Sequence, residues 1–170
     1  MTFSQLTKER VSVRAYEERP VEQEKLDKIL EAARIAPTAA NFQPVRLFVV
    51  QSKEGLNKVS ITANIFHAPV AIIVCADKTK AWVRPVDGMI TTDIDASILT
   101  THLMLATTEQ GLGSVWICYF DPNVLKNEFN LPKELEPINI LALGYSAQPA
   151  PDPNRHTIRR MKIEELVEYI

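Results

Sequence analysis

Glycine is scarce in this sequence, at five residues in 170. None stands in a G-x-x-x-x-G-K run, and the pair Gly111 and Gly113 precedes a strand-like segment rather than a helix. A phosphate-cradling loop and a dinucleotide fingerprint both need glycine-rich turns that run into a helix, so both are excluded. Cysteine is as sparse: Cys75 and Cys118 each lie in an apolar, strand-like run and read as buried, reduced thiols acting as small hydrophobes. The three histidines, His67, His102 and His156, are far apart and lack neighbouring Cys or paired carboxylates, so no metal-ligand spacing exists. His102, within an apolar helical pattern, reads as a hydrogen-bonded core residue. There is no G-x-S-x-G elbow, and neither cysteine has a basic neighbour to lower its pKa, which leaves hydrolase chemistry without a nucleophile.

Long apolar runs are missing too. No stretch approaches 20 apolar residues, and MTFSQLTKER brings charge before any apolar run, so neither a membrane span nor a secretory leader is expected. A cytoplasmic location is the default. Charge of one sign is also absent: 19 Lys and Arg stand against 21 Asp and Glu, a net charge of −2, with no excess that would attract nucleic acid. What is present is ordinary for a globular chain, 46% hydrophobic and 24% charged. The whole of 1–170 is expected to form one domain, long enough for folding to bury roughly 70% of its unfolded surface.

Thr2 followed by Gln5 fits a capping box that opens a helix to about Arg10. In RVSVRAY, Val11, Val13 and Ala15 alternate with Arg10, Ser12 and Arg14, which sets the two groups on opposite faces of extended chain. Leu26, Ile29, Leu30 and Ala33 predict an amphipathic helix over Val21 to Ala36, stopped by Pro37. The proline-bounded loop to Pro44 leads into a strand at Val45 to Val50. Ser52 caps a short helix to about Val59, and VAIIVCA after Pro69 is a buried strand. A polar loop follows from about Asp77 to Gly88. A helix from about Thr92 to Gln110 is apolar nearly all round and must be covered, by its own domain or a partner. Further strands are predicted at Ser114 to Phe120 and Ile138 to Tyr145, with Asp121 and Pro122 opening a helix between them. A proline-rich surface arm and a last helical turn, IEELVEYI, close the chain. The irregular alternation points to an α+β fold rather than a doubly wound one.

Arg10, Ser12 and Arg14 on one face could hold a phosphate, each charged hydrogen bond giving ~1.5–3 kcal/mol. A solvated basic edge has the same pattern, and by residue type alone Asn41 and Gln43 need no ligand.

Four blocks carry more than their parts: R-x-S-x-R at Arg10 to Arg14, a helix ending AARIAPTAANFQP, GLGSVWICYFDP, and a strand ending ALGY. In this order they resemble the nitroreductase family over almost the whole chain. The resemblance implies a central, mainly antiparallel sheet flanked by helices, in an intertwined homodimer built around FMN. It implies that Arg10 and Ser12 contact the FMN phosphate and ribityl chain and that Arg14 reaches the pyrimidine edge, where a cation stabilises the anionic reduced flavin. Pro37, Thr38, Ala39, Asn41 and Gln43 would line the flavin from the other subunit. A backbone N–H near Ile117, Cys118 and Tyr119 would approach N5, and the pair Arg159 and Arg160 would reach the phosphate. The implied reaction is ping-pong: NADH or NADPH reduces the flavin, which then reduces a small oxidised substrate such as a nitroaromatic or a quinone. No catalytic acid or base is implied. The sequence departs from the family pattern where Cys118 and Tyr119 replace glycine and Lys162 replaces a proline, and it lacks an inserted helical roof. A flavin-storing or flavin-sensing protein without useful turnover is the alternative these departures leave open.

Overall fold

The computed structural model describes residues 1–170. Its centre is an antiparallel sheet of β1 (Val45–Val50), β2 (Val70–Asp77), β3 (Gly113–Ile117) and β4 (Leu135–Gly144), in the order β1-β2-β4-β3. β2 is buried along its whole length, as a central strand with both faces covered must be. Ile72 and Val74 face a core completed by Leu26, Ile29 and Leu103, while Ile73 and Cys75 face one completed by Val59 and Leu125. The first core lies under α2 (Gln23–Arg34) and α4 (Thr92–Glu109), the second under α3 (Lys53–Thr62) and α5 (Pro122–Glu128).

The helix starts follow their local chemistry. α1 (Phe3–Glu9) has the expected capping box of Thr2 and Gln5, Ser52 caps α3 through the Gly55 N–H, and the Asp121 carboxylate accepts from the Asn123 and Val124 N–H groups at α5. Two more short helices lie in the C-terminal arm, α6 (Arg155–Arg159), which was not expected, and α7 (Ile163–Leu166).

Several expectations are corrected. RVSVRAY is extended but makes only isolated bridges, Ser12 to Ser114 and Tyr16 to Ser146. The loop before β1 contains a 3-10 turn at Ala39–Asn41. The polar loop after β2 folds back on itself, bridging Val83 to Ile90. β3 ends at Ile117, so Cys118 is exposed rather than a buried hydrophobe. The ladder to β4 stops at the Ile117 to Ile140 pair, which leaves Cys118 and Tyr119 outside the sheet and exposed.

Candidate cofactor site

The segment from Arg10 to Tyr16 is zipped between β3 and the chain after β4. The Val13 N–H donates to Ser114 O at 2.9 Å, the Arg14 N–H to Gln148 Oε1 at 3.0 Å, and the Ala147 N–H to Ala15 O at 2.9 Å. Val13 is buried against Gly113, where a Cβ would sit 2.9 Å from the Val13 Cβ. With Val13 inward, Arg14 is exposed and Arg10 and Ser12 are half-buried. Val13 and Arg14 thus differ in burial, while Arg10, Val11 and Ser12 are all half-buried.

Arg10 is surrounded by like charge. Burial, then the charges of Arg160 and Arg155, hold its guanidinium pKa below the ordinary value. No ion pair in the molecule involves Arg10, Arg14, Arg155, Arg159 or Arg160. Uncompensated guanidinium groups held together are the electrostatic complement of a multiply charged anion. Of the expected pair, Arg160 is the one whose charge acts on Arg10; Arg159 lies exposed on α6. Arg155 was missed in the sequence. Its guanidinium donates to the carbonyls of Lys8 and Glu9, and His156 Nε2 lies 3.0 Å from Lys8 O, so α6 is pinned to the negative end of α1.

Arg14 opens onto a second feature, a cavity of about 210 Å³ lined also by Asn64, Phe66 and Val115 to Tyr119. Ile117, Cys118 and Tyr119 thus line the same cavity as Arg14. Asn64 and Phe66 were not anticipated: the Asn64 Oδ1 accepts from the Phe66 N–H at 2.8 Å, and Phe66 and His67 take φ of 57° and 58°. Consecutive left-handed residues other than glycine carry local strain, which functional sites commonly retain.

The loop from Pro37 to Pro44 does not reach this cavity. Thr38 and Gln43 instead line a separate pocket of about 230 Å³ between α2, β1 and Leu99 of α4. Ala40, Asn41 and Gln43 all have positive φ, and Asn41, Phe42 and Gln43 are exposed. Within one chain the expected site residues therefore form two separated groups, Arg10 to Arg14 with Ile117 to Tyr119, and Pro37 to Gln43.

The chain matches the model of the nitroreductase family over residues 7–63 and 57–145. It belongs to that family. A solved nitroreductase family protein from Clostridium difficile is 55% identical and superposes with a TM-score of 0.97, covering 99% of this chain and 98% of that one. An FMN-dependent nitroreductase from Clostridium difficile R20291 is 30% identical, with a TM-score of 0.73 over 92% of this chain and 96% of its own. A relative from Methanothermobacter thermautotrophicus, whose name carries the words NADH dehydrogenase/NAD(P)H nitroreductase, is 33% identical over 161 residues, 87% of this chain and 79% of that protein. As a nitroreductase family member, the chain shows the α+β antiparallel sheet that the four sequence blocks implied. It has no group of three or more His, Cys, Asp or Glu residues placed to hold a metal ion, and none of its helices is long and apolar enough to cross a membrane.

Proposed function

We propose that the chain is an NAD(P)H-dependent FMN oxidoreductase that reduces a small oxidised acceptor such as a nitroaromatic or a quinone, each 170-residue chain forming one domain of a homodimer. The observation that carries this reading is the unpaired cluster of Arg10, Arg155 and Arg160 at one end of an extended segment whose other end, Arg14, opens on the cavity of Ile117 to Tyr119. Four residues of extended chain span about 13 Å, which suits an elongated ligand with a phosphate at one end and a ring at the other. The donors present fit FMN. The names of the relatives above, one FMN-dependent and one NAD(P)H-linked, agree with it.

Bound FMN supplies the redox chemistry, accepting hydride from NADH or NADPH and passing reducing equivalents to the acceptor. The protein's part is binding, orientation and charge. Arg10, Arg155 and Arg160, with the Arg159 side chain nearby in sequence, hold the phosphate, and Ser12 contributes a hydroxyl to the tail. Arg14 would set a cation beside the flavin ring, favouring its electron-rich form, and Ile117, Cys118 and Tyr119 would offer backbone N–H groups to that ring. Pro37, Thr38, Ala39, Asn41 and Gln43 complete the site from the second subunit, which accounts for their separation from Arg14 in one chain. The C-terminal arm supports the dimer: Ile158, Met161, Ile163, Leu166 and Tyr169 are all exposed on one chain, a concentration of apolar surface that another copy would cover. A nicotinamide donor suits a cytoplasmic setting.

The test is the visible spectrum of the purified protein, before and after NADH under anaerobic conditions. Flavin bands that bleach are expected. Flavin that stays oxidised would favour storage or sensing, and failure to bind added FMN would overturn the reading.

A further inference from the structure

One buried acid has no part in the site described so far. Asp95, in the first turn of α4, is 0% exposed and belongs to no ion pair. Its carboxylate accepts from the Ala39 N–H at 2.8 Å and from the Thr91 hydroxyl at 3.0 Å. A buried carboxylate without a cation is costly to keep, and the positive end of α4 offsets only part of that cost. What it holds is the start of the Pro37 to Pro44 loop.

That loop needs holding. Ala40, Asn41 and Gln43 have φ of 49°, 57° and 51°, conformations that persist in residues other than glycine only where the surroundings impose them. The loop's own bonds, Gln43 N–H to Thr38 Oγ1 and Asn41 N–H to Thr38 O, close it on itself without fixing it to the body. Its far end is anchored where the Asp77 N–H meets Pro44 O at 2.9 Å, and its near end at Asp95. The Thr91 hydroxyl also lies 3.2 Å from Trp82 O, so the same carboxylate joins the folded-back segment from Trp82 to Thr91 to the loop.

We infer that Asp95 is a positioning residue: through the Ala39 N–H it sets the Pro37 to Pro44 loop in the shape that receives FMN, and it ties that shape to the Trp82 to Thr91 segment. The inference rests on the proposed cofactor role of the loop. Geometry rather than charge is what the contact requires. In Asp95→Asn the side-chain oxygen accepts from Ala39 and the amide donates to the Thr91 oxygen, whose proton turns to Trp82 O. In Asp95→Ala both contacts are lost.

The experiment pairs two readouts on four variants. Hydrogen exchange of the FMN-free protein should be at least about tenfold faster across residues 38–43 in Asp95→Ala, and close to native in Asp95→Asn. The Kd for added FMN, read from quenching of its fluorescence, should rise about tenfold or more in Asp95→Ala, equivalent to about 1.4 kcal/mol, and stay within about threefold of native in Asp95→Asn. Thr100→Val, which removes a buried hydroxyl elsewhere on α4, controls for general destabilisation and should leave both readouts near native. Ala39→Pro deletes the donor at the first residue of a 3-10 turn after an extended residue. Because Ala39 itself lines the proposed site, only its exchange is compared: it should match Asp95→Ala, and it carries the test should Asp95→Ala fail to fold. Native exchange in Asp95→Ala or Ala39→Pro overturns the inference, as does equal loss of FMN in Thr100→Val. Native protein that binds no FMN overturns the functional reading instead, and the exchange readout alone then decides whether Asp95 holds the loop.

Discussion

Gly113→Ala tests how tightly the fold sets the Arg10 to Arg14 segment. A Cβ at Gly113 would lie 2.9 Å from the Val13 Cβ and 3.2 Å from its Cγ1, against about 3.5–4.0 Å for relaxed carbon contacts. Val13 is 2% exposed and its N–H is bonded to Ser114 O at 2.9 Å, so neither side chain nor backbone has free space to retreat into. Overpacking of this kind costs about 1–3 kcal/mol, and the smaller conformational freedom of unfolded alanine returns about 0.4–1 kcal/mol. A net loss of about 1–2 kcal/mol is expected from denaturant unfolding at fixed protein concentration. Val13→Ala alone removes buried methyl groups at about 0.5–1.5 kcal/mol each. In the double variant the new methyl occupies space vacated by Val13, so the two losses should not add, with a coupling of at least about 1 kcal/mol. Because Arg14 and Ser12 flank Val13, FMN affinity should fall in Gly113→Ala and recover in the double variant. Additive losses, or a Gly113→Ala variant as stable as native protein, would refute the packing argument.

The two cysteines should separate by reactivity: burial raises the Cys75 thiol to about 12 while Cys118 is exposed, so a thiol reagent should modify one group per native chain and two in denaturant. If Cys118 sits against the flavin, FMN will slow its modification; equal rates with and without FMN would count against that placement. Acid should act through Asp77, whose carboxyl is drawn down to about 2, first by the Thr79 hydroxyl and then by Lys80. A depressed pKa contributes stability that is complete above the ordinary value of 3.8 and disappears as pH falls through about 2. Asp77→Asn should therefore narrow the difference in Tm between pH 4 and pH 2, whereas parallel Tm profiles would exclude Asp77 as the acid-sensitive group. Ala40→Gly removes the strain of φ 49° and should raise stability by up to about 1 kcal/mol. Its unfolding midpoint checks the sign, and a loss would mean that the left-handed turn costs little there.

Much of the fold was legible in the sequence because its signals are local. A capping box at Thr2, an aspartate before Pro122, and the uninterrupted apolar run at Val70 each act within a few residues, where cap chemistry and burial on two faces leave a direct imprint. The same locality explains the failures. Cys118 looks apolar by its neighbours, yet whether β3 continues past Ile117 depends on its pairing with β4, which is distant in sequence. The basic segment at Arg10 to Arg14 was visible as a pattern, and the family blocks supplied its meaning. Sequence alone determined the main strand and helix segments and most helix starts, while the antiparallel arrangement came from the family resemblance. Only the tertiary structure decided that Arg155 joins Arg10, that Asn64 lies beside Arg14, and that Asp95 grips Ala39 across 56 residues. These meetings are set by chain topology and by the need to pair buried polar groups, and neither leaves a periodic trace along the chain.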